Sequence, residues 1–185
     1  MDLTRLRPVA GVVAPAAFVG AWVTGGLLRD DGYSPVSDAI SRLAETGQPT
    51  APLMTAGFVA YGVLAPVAAT ALRDRATRAA VVVTGLGTLA VAAFPLSAEG
   101  GQPVDTWHAA AALVAYTANV AAPSLAGRRA SPRVRRASYA LSAVIAACLV
   151  GSIALDDATG LLQRTGLTLF DAWLVATCVR LLRER

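Results

Sequence analysis

Six stretches of about twenty apolar residues, parted by short polar connections, dominate this chain, and about twenty such residues in a helix cross the hydrocarbon of a bilayer. They run approximately over residues 9–28, 51–72, 79–97, 108–126, 137–155 and 161–182. Backbone amides and carbonyls placed in hydrocarbon must be satisfied within the chain, so each stretch is predicted to be a helix. The expected fold is all-α: a polytopic membrane protein, six transmembrane helices in an antiparallel bundle, forming one domain over residues 1–185. The first stretch follows basic residues, as a signal peptide does, but no polar mature domain comes after it, so no cleavage is expected.

The basic residues orient the bundle. The chain has 16 of them, all arginine. Arg5 and Arg7 precede the first span; Arg73, Arg75 and Arg78 follow the second; Arg128, Arg129, Arg133, Arg135 and Arg136 follow the fourth; Arg180, Arg183 and Arg185 close the chain. Only Arg29, Arg42 and Arg164 are left for the other side. Short cytoplasmic loops carry the excess of arginine, so both termini are expected in the cytoplasm of a bacterial cell, with the protein multi-pass in its membrane.

The hydrophobic fraction of 55%, the charged fraction of 15% and a mean hydropathy of +0.55 agree with a solute of lipid. A pI near 9.7 invites thoughts of nucleic acid, but the arginines sit at segment ends instead of on one folded face, so no nucleic-acid partner is expected. Cys148 and Cys178 lie inside spans with no CxxC spacing and read as packing. Membrane lipids are the expected surroundings, and alanine- and glycine-rich spans permit close helix contacts, so an oligomer is compatible with the sequence.

The connection after the first span carries a small helix, expected over about 35–46. Ser34-Pro35 suits an N-cap and first turn, and Gly47 suits a terminator. Val36, Ala39, Ile40, Leu43 and Ala44 recur on one face, so the helix is expected to lie flat at the outer interface. Asp38 and Arg42 stand four apart, which fits either an exposed ion pair worth a few tenths of a kcal/mol or a cap over the bundle mouth.

Carboxylates mirror the arginines. Asp30, Asp31, Asp38, Glu45, Glu99, Asp105, Asp156 and Asp157 fall in the outer connections, whereas Asp2, Asp74 and Glu184 are cytoplasmic. Asp105-Thr106-Trp107-His108 brings the only histidine to the outer start of the fourth span. A helix sets positions 105 and 108 side by side, so Asp105 can either orient the imidazole or cap the helix. Deeper in the bilayer, Asp171 lies mid-span, where a carboxylate costs at least about 2.5 kcal/mol, and is expected to face the interior. Arg164, seven residues earlier, can snorkel outward or pair with Asp171 through water. Asn119 lies almost three turns beyond His108, extending a polar track down one face, or simply hydrogen-bonds a neighbouring helix.

Tyr33-Ser34-Pro35-Val36-Ser37-Asp38-Ala39-Ile40-Ser41-Arg42-Leu43, Phe94-Pro95 after the third span, and His108 together resemble a small six-span bacterial and archaeal membrane family, catalogued as domain of unknown function nine-nine-eight. The resemblance covers essentially the whole chain. It implies that Tyr33, Ser34, Pro35, Ser37, Asp38, Ser41, Phe94, Pro95 and His108 occupy the family's recurring positions, all near the outer face. A more general similarity in size and character is to small actinobacterial membrane-bound terpene cyclases.

Elimination narrows the chemistry. One histidine cannot supply the paired ligands of a transmembrane haem or the several that membrane zinc hydrolases use. No Walker loop, GxGxxG after a strand or GxSxG elbow is present. Ser41 with His108 and Asp38 or Asp105 can in principle form a nucleophile, base and orienter. Hydrocarbon disfavours the charged form of a carboxylic acid, which can then protonate an alkene or epoxide. Asp171 and Asp38 are the candidates, and Trp22, Phe58, Tyr61, Phe94, Tyr116, Phe170 and Trp173 offer aromatic faces that stabilise cations.

The expectation is an enzyme with an outward-facing acidic pocket that acts on a hydrophobic small molecule, lipidic or isoprenoid, by proton-initiated catalysis such as terpene cyclisation. Asp38, Asp171, His108 and Asp105 are its candidate catalytic groups. Tyr33, Ser41, Phe94, Trp107, Tyr116, Asn119, Arg164 and Trp173 are the candidate substrate contacts. No cofactor is required, although Asp30 with Asp31, and Asp156 with Asp157, can hold Mg2+ if the substrate is a diphosphate. The alternative is a small carrier of protons, cations or a solute, or a non-catalytic membrane subunit.

Overall fold

Prolines and caps decide where the helices begin and end. The computed structural model describes residues 3–184, so Asp2 and Arg185 lie outside the described residues. Six helices follow: α1 Leu3–Leu28, α2 Ala51–Ala69, α3 Arg75–Ala93, α4 Pro103–Gly127, α5 Pro132–Ala154 and α6 Thr159–Arg183. Each is long and apolar enough to cross a membrane, and no strand occurs among the described residues. At 1.5 Å per residue, lengths of 19 to 26 residues give rods of about 28–39 Å, which match a hydrocarbon core of about 30 Å.

Several helices start earlier than the apolar pattern alone indicates, because capping groups extend them into polar sequence. Asp74 accepts from the Thr77 amide and hydroxyl, both at 2.9 Å, and starts α3 four residues ahead of the apolar run. Pro103 occupies the first turn of α4, where Gln102 and Asp105 cap reciprocally. Pro95 stops α3, since the residue before a proline avoids helical backbone.

Each helix packs antiparallel on its sequence neighbour, and α6 returns to α1, closing a ring. Close approach between α2 and α3 depends on Gly62 and Gly85: a Cβ on Gly85 would lie 2.9 Å from the Gly62 carbonyl oxygen and collide with Pro66. Apolar side chains such as Val13, Leu86, Leu113, Val144 and Ile153 face outward, where lipid takes the place of a protein core. The connections 70–74 and 128–131 meet at one end, where Arg128 pairs with Asp74 at 2.8 Å and the end of α6 adjoins them. This is the arginine-rich end. The other, acidic end holds residues 29–50, 94–102 and 155–159, joined by bonds such as Thr46 N–H to the Leu96 carbonyl at 2.9 Å and Leu161 N–H to Val36 at 2.8 Å.

The small helix expected over 35–46 is shorter and deeper than its pattern suggested. Ser34 does cap, accepting from the Val36 and Ser37 amides at 3.3 and 3.4 Å, but it caps a single turn. A 3₁₀ helix, Ile40–Ala44, follows and ends before Gly47, whose φ of +89° is left-handed. Ile40, Ser41, Leu43 and Ala44 are buried, so this segment plugs the acidic end of the bundle instead of lying flat in the interface. Of the expected apolar face, Ile40, Leu43 and Ala44 are buried, against protein and not lipid, whereas Val36 is exposed and the polar Ser41 is buried with them. Arg42 pairs with Glu45 at 2.6 Å and not with Asp38, because three residues of 3₁₀ helix complete a turn.

Candidate functional site

A cavity of about 40 Å³ lies beneath the 3₁₀ segment, inside the ring. Its walls come from α1, α2, α3, α4 and α6, with Ile40 and Ser41 as the roof. Among the residues singled out from the sequence, Ser41, His108, Tyr116, Asn119 and Asp171 all line it. Toward the arginine-rich end, fully buried Ala65, Ala68, Leu174 and Cys178 fill the bundle with apolar atoms. The cavity is therefore one-sided.

Asp171 is 4% exposed and receives the Tyr61 hydroxyl on Oδ1 at 2.9 Å. Its other oxygen, Oδ2, is buried without a hydrogen-bond partner, and no basic side chain contacts it among the described residues. Tyr61 is held in turn by the edge-on ring of Phe18, 5.4 Å away between centroids. Phe18, Phe58, Tyr61 and Tyr116 give the cavity an aromatic lining.

His108 is placed by the end of α3. Helix ends leave carbonyls unpaired, and the Phe94 carbonyl accepts from His108 Nδ1 at 2.7 Å. A carbonyl can only accept, so Nδ1 carries the hydrogen, and Nε2 of the neutral ring carries the lone pair. Phe94-Pro95 and His108 are thus one unit: Pro95 ends the helix, and the imidazole takes up the carbonyl left over. Asn119 accepts from the Thr84 hydroxyl at 2.7 Å, linking α3 to α4 at the cavity floor.

Other expected residues have different places. Asp105 does not orient His108. It accepts from the Ser97 amide and hydroxyl at 2.8 and 2.7 Å and from Gln102 N–H at 2.9 Å, because its side chain points back toward the N-cap of α4 and the connection before it. Asp38 does not line the cavity. Its carboxylate accepts from Ser34 N–H at 2.7 Å and shapes the roof turn. Trp107 is 62% exposed and lies against Phe94, 6.4 Å between centroids, on the outside of the bundle. Trp173 packs on Phe170 and faces a crevice at the arginine-rich end.

Arg164 neither snorkels to solvent nor pairs with Asp171. It donates to the carbonyls of Pro35 and Asp38, both at 2.8 Å, and to the Tyr33 hydroxyl, with its guanidinium over the Trp22 ring at 5.5 Å. Gln163 beside it accepts from Ile40 N–H at 2.6 Å. Together they pin the roof to α6. Gly160 allows this, since a Cβ there would lie 2.6 Å from the Pro35 carbonyl oxygen and against that of Asp38. Burial pushes the Tyr33 phenol up from its ordinary value, against the opposing pull of Arg164.

Asp30, Asp31, Asp156 and Asp157 are exposed, and the Arg29 guanidinium holds Asp31 below the usual carboxylate range through two 2.7 Å bonds. No cluster of three or more metal-ligating side chains occurs among the described residues. Sequence reasoning took Tyr61 only as an aromatic face and missed Thr84 and Gln163. A hydroxyl in the middle of an apolar span, opposite a buried acid, was the available signal.

A family model matches residues 12–180 and so takes in the roof, Phe94-Pro95 and His108. The chain belongs to the family described as protein of unknown function, DUF998. No curated protein and no solved structure matches it. In this DUF998 chain, family-like motif residues form two hydrogen-bonded units, the Ser34–Asp38 turn and the Phe94–His108 link, and of the motif residues Ser41 and His108 line the cavity.

Proposed function

We propose that the protein is a membrane-embedded acid–base enzyme acting on a lipidic or isoprenoid substrate, with Asp171 as proton donor and His108 as base. The observation that carries this reading is the unpartnered Oδ2 of Asp171 beside a cavity that His108 also lines. The reaction balances without a cofactor. The Asp171 Oδ2–H bond breaks as a C–H bond forms on a substrate alkene, leaving a carbocation before Phe18, Phe58, Tyr61 and Tyr116. A neighbouring C–H proton passes to His108 Nε2 and a new alkene forms. His108 then gives its proton to water and Asp171 takes one from water, which restores both groups. Isomerisation and terpene cyclisation are the reactions of this type.

At about 40 Å³ the cavity has room for about three waters, far below the roughly 300 Å³ of a small-molecule pocket. Substrate admission therefore requires the roof over residues 33–45 to move. The same small volume favours a second reading, a proton carrier whose water-filled vestibule reaches Asp171. The apolar plug beyond Asp171 supports the enzyme instead. Membranes supplied with polyprenyl substrates distinguish them: Asp171→Asn and His108→Ala should abolish product with expression intact. Proton flux in proteoliposomes that depends on Asp171, without product, would favour the carrier.

A further inference from the structure

Arg164 is 8% exposed, and no carboxylate pairs with it among the described residues. Its acceptors are two neutral carbonyls and a phenol, and its Nε is buried with no partner at all. A buried cation normally has a counter-charge. Every acceptor of Arg164 comes from residues 33–38, the turn that leads into the roof residues Ile40 and Ser41, and on the reading above this segment moves when the cavity admits a ligand. Once the roof lifts, a guanidinium stands free at the cavity mouth.

Along α6, Arg164, Leu167 and Asp171 follow one another at three and four residues and share a face. Leu167 and Asp171 line the cavity, and Arg164 stands above them. Seven residues of helix separate the guanidinium-bearing backbone from the carboxyl-bearing one by roughly 10 Å.

We infer that Arg164 is the headgroup site for a phosphate-bearing amphiphile, whose anion replaces the roof carbonyls while its hydrocarbon chain runs past Leu167 to Asp171. This rests on the lipid-substrate reading above and adds the substrate class: an anionic head at Arg164, with the reacting carbon deeper in the bundle beside Asp171. A charge-assisted bond to phosphate is stronger than a bond to a neutral carbonyl, so the ligand displaces the roof by competing for its anchor. Arg164 is a binding residue in this account, and the roof is closed only while the anion is absent.

The test uses full-length protein in nanodiscs of neutral lipid, with Ser37→Cys as a thiol-labelling reporter in the roof; the native Cys148 and Cys178 are buried. Dodecyl phosphate should raise the labelling rate on the order of tenfold, whereas dodecanol and inorganic phosphate at equal concentration should not. Arg164→Gln should weaken dodecyl phosphate binding on the order of tenfold to a hundredfold. If that variant does not fold, the three-ligand comparison in the Arg164 protein decides alone. Asp171→Asn should leave the response intact, so loss of catalysis and loss of headgroup binding are read separately. Equal labelling with dodecanol, no rise with dodecyl phosphate, or a full response to inorganic phosphate would overturn the proposal.

Discussion

The Tyr61 hydroxyl reaches across from α2 to Asp171 on α6 and satisfies one carboxyl oxygen at 2.9 Å, leaving the other buried without a bond. Removing the hydroxyl strands the whole carboxyl. Tyr61→Phe should cost about 1–3 kcal/mol of stability, measured as resistance to denaturation in mixed micelles, with the helical content of the folded state unchanged. A variant as stable as the parent would mean that the bond contributes nothing net.

The Phe94–His108 bond fixes the imidazole tautomer. Nitrogen NMR of labelled protein at neutral pH should show Nδ1 protonated and Nε2 bare. Finding the hydrogen on Nε2 would remove His108 as the proposed base in this geometry. His108→Ala should cost about 1–2 kcal/mol, since it leaves the Phe94 carbonyl unpaired.

Gly160→Ala should loosen the roof. The added methyl meets the Pro35 and Asp38 carbonyls and the Arg164 guanidinium, and that crowding has no flexible side chain to absorb it on the carbonyl side. Thiol labelling at Ser37→Cys should rise several-fold over the Gly160 protein, on the order of the roof's local opening equilibrium, while circular dichroism stays constant.

Acid should weaken the arginine-rich end through Asp74. The Thr77 amide first, and then Arg128, hold its carboxyl well below the usual carboxylate range. A depressed folded-state value means that the stabilisation is complete above the unfolded value of 3.8 and is lost as pH falls below it toward the folded value. Thermal unfolding followed from pH 6 downward should therefore show a steeper decline below about pH 4 than Asp74→Ala shows. Parallel profiles would exclude Asp74 as the source.

The arginine bias predicts that the acidic end faces outside the cell. A cysteine at Asp31 should react with an impermeant maleimide in intact cells, and one at Arg129 only after lysis. The reverse pattern would invert the topology.

The spans, the class and the buried acid were legible because hydrocarbon makes charge and unpaired backbone costly, and that cost is written directly in composition. Asp171 stood out for this reason. Tyr61 did not, since an aromatic residue in a span reads equally as packing, and only the pairing of α2 with α6 gives its hydroxyl a purpose. Asp105 and His108 were adjacent as the helical spacing required, yet Ser97 and the Gln102 amide ahead of α4 claimed the carboxylate first. The pattern at 36–44 showed that a face is buried, but whether lipid or protein buries it depends on Arg164 and Gly160, more than a hundred residues along the chain.

Whether Asp171 delivers a proton to carbon can be read by turnover of an unsaturated polyprenyl substrate in heavy water, with the purified protein in nanodiscs and product examined by mass spectrometry. The account predicts one deuterium gained on carbon per turnover with the Asp171 protein, and none with an Asp171→Asn variant that remains folded. Equal deuterium incorporation by both proteins, or none in either, would contradict it.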